Sequence, residues 1–251
     1  MSIYLDSLNI VFQVACVAPP LVLAVTIHEA AHGFVAYLLG DDTAKASGRM
    51  TLNPLKHIDP IGTILVPIAL FISVFALSSA QSKIIFGWAK PVPVTQNRLK
   101  NPKRDFALVS AAGPLSNIIM AMIWGIIFIL TLPSIPSLDV FLTKTLRELS
   151  ITTSWLALMS SAGIWMNIIL AAINLLPIPP LDGSNIIAAF LSKRAHALYM
   201  SIAPIGVWLV LALLISGALT DFIWLLATNM FYLVHLSAAK VVSLIELIPA
   251  V

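Results

Sequence analysis

Residues 21–33 read Leu-Val-Leu-Ala-Val-Thr-Ile-His-Glu-Ala-Ala-His-Gly, an apolar run that ends in the charged motif His28-Glu29-Ala30-Ala31-His32. The run predicts a membrane helix over residues 8–39. Residues four apart lie on one face of a helix, so both imidazoles should point the same way. They can bind one zinc ion, while Glu29 can take a proton from an adjacent water. Burying such groups in lipid is costly, which favours a functional role.

The composition is that of a membrane protein. Of 251 residues, 59% are hydrophobic and 10% are charged, whereas a soluble domain is about 25% charged. We therefore expect an all-α, polytopic membrane helix bundle with about five or six membrane segments. A single domain should cover residues 1–251, with a core at about 8–191 and C-terminal helices at about 198–242. Further segments are predicted at residues 60–77, 106–132, 152–176, 198–215 and 219–242.

A polar, irregular insert follows the first helix. Residues 43–52 predict a short β-hairpin, after which Asn53-Pro54 and Asp59-Pro60 break regular structure. Residues 60–77 are apolar but only marginally long, and they contain Gly62 and Pro67. The sequence alone allows either a full span or a re-entrant segment there.

The basic residues are concentrated in one loop. Six of the fourteen Lys and Arg residues lie in residues 83–104, which the positive-inside rule places in the cytoplasm. Because these bases are not spread along an aromatic-laced surface, no nucleic-acid partner is expected. His57 and His196 lie in polar stretches, where solvated side chains are expected.

A catalytic zinc ion normally has three protein ligands, so the two histidines need a partner. Asp182 is the best candidate. It follows Pro177-Ile178-Pro179-Pro180 among apolar residues, where burial of a carboxylate is costly unless the group binds a partner. Its alternative role is to cap a short helix that begins near Gly183. Asp41, Asp42 and Asp59 are weaker candidates.

Three motifs, in this order, resemble the site-2 proteases, a family of intramembrane zinc metalloproteases. They are His28-Glu29-x-x-His32, Gly113-Pro114-Leu115-Ser116-Asn117, and residues 174–183, Asn-Leu-Leu-Pro-Ile-Pro-Pro-Leu-Asp-Gly. The resemblance covers residues 21–183. It implies one zinc ion per chain, with His28, His32 and Asp182 as ligands and Glu29 as the general base.

Two asparagines complete the predicted site. The resemblance implies that Asn174 lies near the substrate carbonyl or backbone, and an amide can donate to a developing oxyanion without titrating. Asn117 is a second candidate for substrate binding. From position alone, each asparagine could instead form a hydrogen bond between helices.

The resemblance implies an endopeptidase that cleaves transmembrane or membrane-tethered proteins by means of a zinc-activated water. The alternative is a non-catalytic metal-binding membrane protein, either a transporter or a pseudoprotease scaffold. In the family, an edge strand can pair with the unwound substrate, and we expect the hairpin over 43–52 to do so. About twenty residues separate Leu132 from Thr152, too few for the PDZ-like domain of larger members. Access would then be gated by membrane segments or by a regulatory membrane partner.

Location and orientation follow from charge and resemblance together. We expect a multi-pass protein of the bacterial inner membrane, with the lipid bilayer around it and the active site near the cytoplasmic side. The helix that carries His28 and His32 then runs inward. This orientation requires residues 60–77 to be re-entrant, since a full span would reverse that helix.

Overall fold

The computed structural model describes residues 10–66, 89–131 and 151–246. Within these ranges the secondary structure is helical throughout, and the α-helices are labelled in chain order. They are α1 (Ile10–Leu38), α2 (Thr43–Ala46), α3 (Pro102–Thr131), α4 (Ile151–Asn174), α5 (Asp182–Ala188), α6 (Lys193–Met200), α7 (Ala203–Ile215) and α8 (Thr220–Glu246). Shorter helical turns cover Pro54–Lys56, Pro60–Leu65 and Gln96–Arg98.

The predicted all-α, polytopic membrane protein is confirmed. In the described ranges, four helices are long and apolar enough to cross a membrane: Val14–Leu38, Pro102–Thr131, Trp155–Asn174 and Asp221–Val241. A fifth span is formed if α6 and α7, which are bent by 55° relative to each other, count as one broken helix. The surface of α1 agrees, because Leu21, Val22 and Leu23 each expose more than 40% of their area. Lipid can cover such apolar side chains without cost.

Two compact units are present, each built from separate parts of the chain. The first comprises Met1–Ala24, Ile118–Ile168 and Thr228–Val251, and the second comprises Val25–Asn117 and Ile169–Ala227.

Ring packing holds the first unit together. The ring of Trp165 stacks on Phe231, with the two centroids 4.8 Å apart. Gly163 lies against Trp124, so closely that a side chain at Gly163 would collide with the indole. Aromatic rings bury large apolar areas, which stabilises the packing between helices.

The second unit contains the predicted site residues and two apolar clusters. One cluster joins α4, α7 and α8 through Ile173, Val210, Leu214 and Ile223. The other joins α1 and α3 through Ala36, Leu99 and Val109. The second cluster packs α1, which carries His28, Glu29 and His32, against α3, which carries Asn117.

The hairpin predicted over residues 43–52 is not formed. Thr43–Ala46 is a turn of α-helix instead, closed by the bonds from Ser47 N to Thr43 O at 3.0 Å and from Arg49 N to Ala44 O at 2.9 Å. Because these backbone groups bond locally, they cannot form a ladder with another strand. Gly48, with a φ of +65°, then ends the turn.

Pro60–Leu65 begins a further helical turn, capped by the Asp59 side chain, which accepts from the amides of Ile61 and Gly62. Residues 67–88, which include most of the predicted re-entrant segment and part of the basic loop, lie outside the described residues.

Candidate active site

The two histidines of α1 lie side by side, as the helical period predicts. Their Nε2 atoms are 3.1 Å apart. The rings meet edge to face, with centroids 4.7 Å apart and planes at 86°. His28 is buried, whereas 13% of the His32 side chain is exposed.

The Asp182 carboxylate completes a three-residue cluster. Its Oδ2 lies 3.2 Å from His28 Nε2 and 3.4 Å from His32 Nε2. One donor atom from each of the three residues falls within 4.8 Å of the others. Among the described residues, these three form the one group of His, Cys, Asp and Glu side chains that could hold a metal ion.

A tight loop after α4 places Asp182 in the cluster. The consecutive prolines end α4, and the chain folds back so that Gly183 lies against its last turn. A Cβ atom at Gly183 would lie 2.7 Å from the carbonyl oxygen of Leu176, which is too close for any side chain. Asp182 is therefore held at the first residue of α5, facing α1.

The hydrogen bonds of the two rings determine where their lone pairs point. His28 Nδ1 donates to Asn117 Oδ1 at 2.6 Å, and His32 Nδ1 donates to the carbonyl oxygen of Val109 at 2.7 Å. Each Nδ1 therefore carries the hydrogen, which leaves a lone pair on each Nε2 of the neutral rings. Both lone pairs face the Asp182 carboxylate.

These residues fit a zinc ion. Three electron-pair donors converge without a hydrogen between them, and Asp182 Oδ2 is buried without a hydrogen-bond partner. Space for an ion exists because residue 113 is glycine: a Cβ atom there would lie 2.5 Å from His32 Nε2 and 2.6 Å from His28 Nε2. Two imidazole nitrogens and one carboxylate oxygen form a ligand set typical of catalytic zinc.

Glu29 lies beside the cluster and is held by a separate segment. Its Oε2 accepts a hydrogen bond from the backbone amide of Val92 at 2.8 Å. Val92 is buried between Pro91 and Pro93, in an extended stretch whose preceding residue, Lys90, donates its amide to His57 O at 2.9 Å. This contact was not predicted from the sequence. The signal was present, because a residue before a proline favours an extended backbone and prolines lack an N–H, which leaves Val92 as the one backbone donor among residues 91–93.

The extended stretch is anchored a second time by Asp41. This fully buried carboxylate accepts from the amide of Thr95 at 2.6 Å and from the amide and hydroxyl of Thr43. Burial alone would raise the pKa of Asp41, but these hydrogen bonds and the nearby Arg98 hold its pKa below the usual range. Asp41 thus has a structural role in the described structure, and its oxygens face threonines.

The role predicted for Asn174 stays a prediction, whereas the solvated environment expected for His57 is wrong. Asn174 donates to the carbonyl oxygen of Leu170 in its own helix at 3.0 Å, and no described hydrogen bond joins it to the His28, His32 and Asp182 cluster. His57 is not a solvated loop residue: it is 2% exposed, and its Nε2 pairs with Thr51 O at 2.9 Å. The polar stretch around His57 folds over it, which the local composition does not reveal.

The chain is similar in sequence to a known protein family and to two named proteins. The model of peptidase family M50 matches residues 17–217. The "Putative zinc metalloprotease YwhC" of Bacillus subtilis (strain 168) is 37% identical over 204 residues, which cover 81% of this chain and 82% of that protein. The "Putative zinc metalloprotease Rip2" of Mycolicibacterium smegmatis is 25% identical over 200 residues, covering 78% of this chain and 65% of that protein. No solved structure gives a significant match.

The fold and the comparisons together define a membrane-embedded zinc metalloprotease. The chain belongs to peptidase family M50, in agreement with the predicted site-2 protease resemblance. The family and the names of both relatives favour the enzyme over the non-catalytic metal-binding alternative.

Proposed function

We propose that this protease hydrolyses peptide bonds of transmembrane or membrane-tethered proteins, with one zinc ion held by His28, His32 and Asp182. The observation that carries the proposal is the convergence of three lone-pair donors within 4.8 Å on the space beside Gly113. When bound, zinc supplies a Lewis acid that lowers the pKa of water and polarises the scissile carbonyl.

Glu29 is the proposed general base. Its Oε2 is fixed by the Val92 amide, so the carboxylate is oriented while Oε1 is left to accept a proton from the attacking water. The same carboxylate then returns that proton to the leaving amine.

The two asparagines are assigned different roles. Asn117 is fully buried and its Oδ1 is taken by His28, which favours a hydrogen bond between helices over substrate contact. We assign it as a positioning residue that keeps the hydrogen on His28 Nδ1. Asn174 uses one amide hydrogen within its own helix, and the second remains for a substrate backbone group, as the resemblance implies.

The orientation of the protein is proposed from charge and one backbone contact. Lys100 N donates to Leu39 O at 3.2 Å, so the end of α1 and the start of α3 lie at the same membrane face. With the basic loop in the cytoplasm, α1 runs inward and the site lies near the cytoplasmic side.

The setting follows from these assignments. We place the protein in the bacterial inner membrane, because the more similar relative is from Bacillus, and we treat residues 1–251 as one peptidase domain. A regulatory membrane partner that gates access to the site remains part of the proposal.

Two variants test the assignments of base and ligand. Glu29→Gln should retain zinc and abolish cleavage of reconstituted single-span peptides, because the amide cannot accept the proton. His28→Ala should lose both zinc and cleavage. Asp42→Asn serves as a control, since this exposed carboxylate pairs with Arg98 outside the cluster. Undiminished cleavage by Glu29→Gln would refute the assigned base.

A further inference from the structure

A cavity lies in the unit that contains the proposed zinc site. It has a volume of about 140 Å³, and its polar lining comes from Gln96, Lys103, Asn185 and His196. Its apolar walls include Phe106 and Met200. A single water molecule needs only about 10–15 Å³, so the cavity has room for a larger polar group. None of these residues takes part in the proposed proteolytic site.

Lys103 lines the cavity, and the chain segments that form it carry further basic residues. Five exposed cations lie on the segments that form it, and the described ion pairs include none of them. The nearby acid, Asp105, is buried and accepts from the amide of Asn101 at 2.7 Å, so it does not offset these charges at the surface. The five cations are Lys100, Lys103, Arg104, Lys193 and Arg194. The cavity therefore favours an anionic group.

Apolar side chains beside the cations indicate a lipid surface. Phe190 is 85% exposed and Leu198 is 74% exposed, on either side of Lys193 and Arg194. The helix α6 that carries these bases is bent by 55° from the apolar helix α7. Exposed apolar residues beside Lys and Arg are typical of a helix that lies in the membrane interface.

One contact fixes the geometry of the basic side. Lys103 at the start of α3 donates a hydrogen bond to the carbonyl oxygen of Leu191, just before α6. An ammonium group has three hydrogens, so two remain for a ligand in the cavity. His196, in the first turn of α6, faces the same space.

We propose that this cavity binds the phosphate of an anionic membrane lipid. Lys103 and the neighbouring bases attract the phosphate, Gln96 and Asn185 donate hydrogen bonds, and Phe106 and Met200 contact the apolar part of the lipid. The positive-inside rule accounts for bases in a cytoplasmic loop, but it does not account for a cavity between them with mixed polar and apolar walls.

The test is lipid binding to the purified full-length protein, counted by native mass spectrometry. The probes are phosphatidylglycerol, phosphatidylcholine of the same chain length, and inorganic phosphate. Phosphatidylglycerol should bind more tightly than phosphatidylcholine. Lys103→Gln should weaken its binding about fivefold, as expected for about 1 kcal/mol per cation near an anionic surface.

Two variants separate a defined site from diffuse attraction. Ala189→Phe fills the cavity, which Ala189 lines, without changing charge, and it should remove the preference for phosphatidylglycerol. Lys45→Gln is the matched control, because this exposed lysine lies over the Tyr37 ring and does not line the cavity. The proposal is overturned if folded Ala189→Phe or Lys103→Gln binds phosphatidylglycerol as the wild type does. Binding of inorganic phosphate without lipid selectivity would overturn the lipid as the source.

Discussion

Substituting Gly113 by alanine tests whether the space beside the histidines holds the metal. The new Cβ atom would lie 2.5 Å from His32 Nε2 and 2.6 Å from His28 Nε2, whereas real Cβ contacts are essentially never shorter than 3.0 Å. One or both rings must therefore move by about 0.5 Å, the difference between 3.0 and 2.5 Å. Zinc–ligand distances tolerate deviations of only about 0.2 Å.

The size of the effect follows from two opposed contributions. In an ordinary helix interior, Gly→Ala stabilises by about 1 kcal/mol, so the protein should still fold without metal. Loss of a single partner that orients a ligand already costs about 10–100-fold in metal affinity. Displacement of the ligands themselves should cost at least as much, which corresponds to about 1.4–2.7 kcal/mol.

The assay is zinc affinity measured by competition with a chelator, together with cleavage and thermal unfolding of the metal-free protein. Gly125→Ala is the matched control on the same helix, because a Cβ there meets aliphatic carbons of Val234 and Ala238 at 3.1 and 3.2 Å. This control should bind zinc as the wild type does. A Gly113→Ala protein with unchanged zinc affinity would show that the metal does not occupy this space.

Further predictions concern the groups around the cluster. Asn117→Ala should lower zinc affinity about 10–100-fold, because His28 loses the acceptor that orients its ring. Asn117→Asp keeps an acceptor oxygen and should retain most of the zinc affinity. If the two variants have equal zinc affinities in chelator competition, the positioning role of Asn117 is contradicted. Because the folded pKa of Asp41 is lowered, its contribution to stability is complete above its unfolded value of about 3.9 and is lost as pH falls through the folded value. The unfolding temperature of the wild type should therefore fall more steeply below about pH 4 than that of Asp41→Asn. Parallel plots of unfolding temperature against pH for the two proteins would count against the Asp41 network.

The proposed ligand set could be predicted from the sequence because it depends on side-chain chemistry and on the helical period. His28 and His32 are four residues apart on one helix, and Asp182 is an acid at a proline-induced break. The structure brings all three together. Helix limits were predicted less sharply, since α3 begins at Pro102 rather than at residue 106.

The positioning contacts were not accessible because they are made by backbone atoms. Val92 and Val109 have apolar side chains, but their backbone groups form the contacts. The amide of Val92 donates a hydrogen bond to Glu29, and the carbonyl oxygen of Val109 accepts one from His32. Reading residue types cannot find such contacts. Asn117 was singled out, but its orientation toward His28 depends on how α1 and α3 pack.

The hairpin prediction failed for a local reason that was present in the sequence. Ala44, Lys45 and Ala46 are good helix formers. They follow Asp41, whose side chain accepts from the Thr43 amide at 3.0 Å. The backbone amides of Ser47 and Arg49 therefore bond to Thr43 and Ala44 in a helical turn and not to a neighbouring strand.

Zinc X-ray absorption spectroscopy of the Glu29→Gln protein, which should keep the metal without turnover, tests the central claim most directly. We expect one zinc ion per chain, with nitrogen and oxygen ligands at about 2.0–2.2 Å, of which two are imidazoles. Introducing Asp182→Ala should remove the carboxylate from the spectrum and most of the bound zinc. A sulfur ligand at about 2.3 Å, or a spectrum that Asp182→Ala leaves unchanged, would contradict the proposed site.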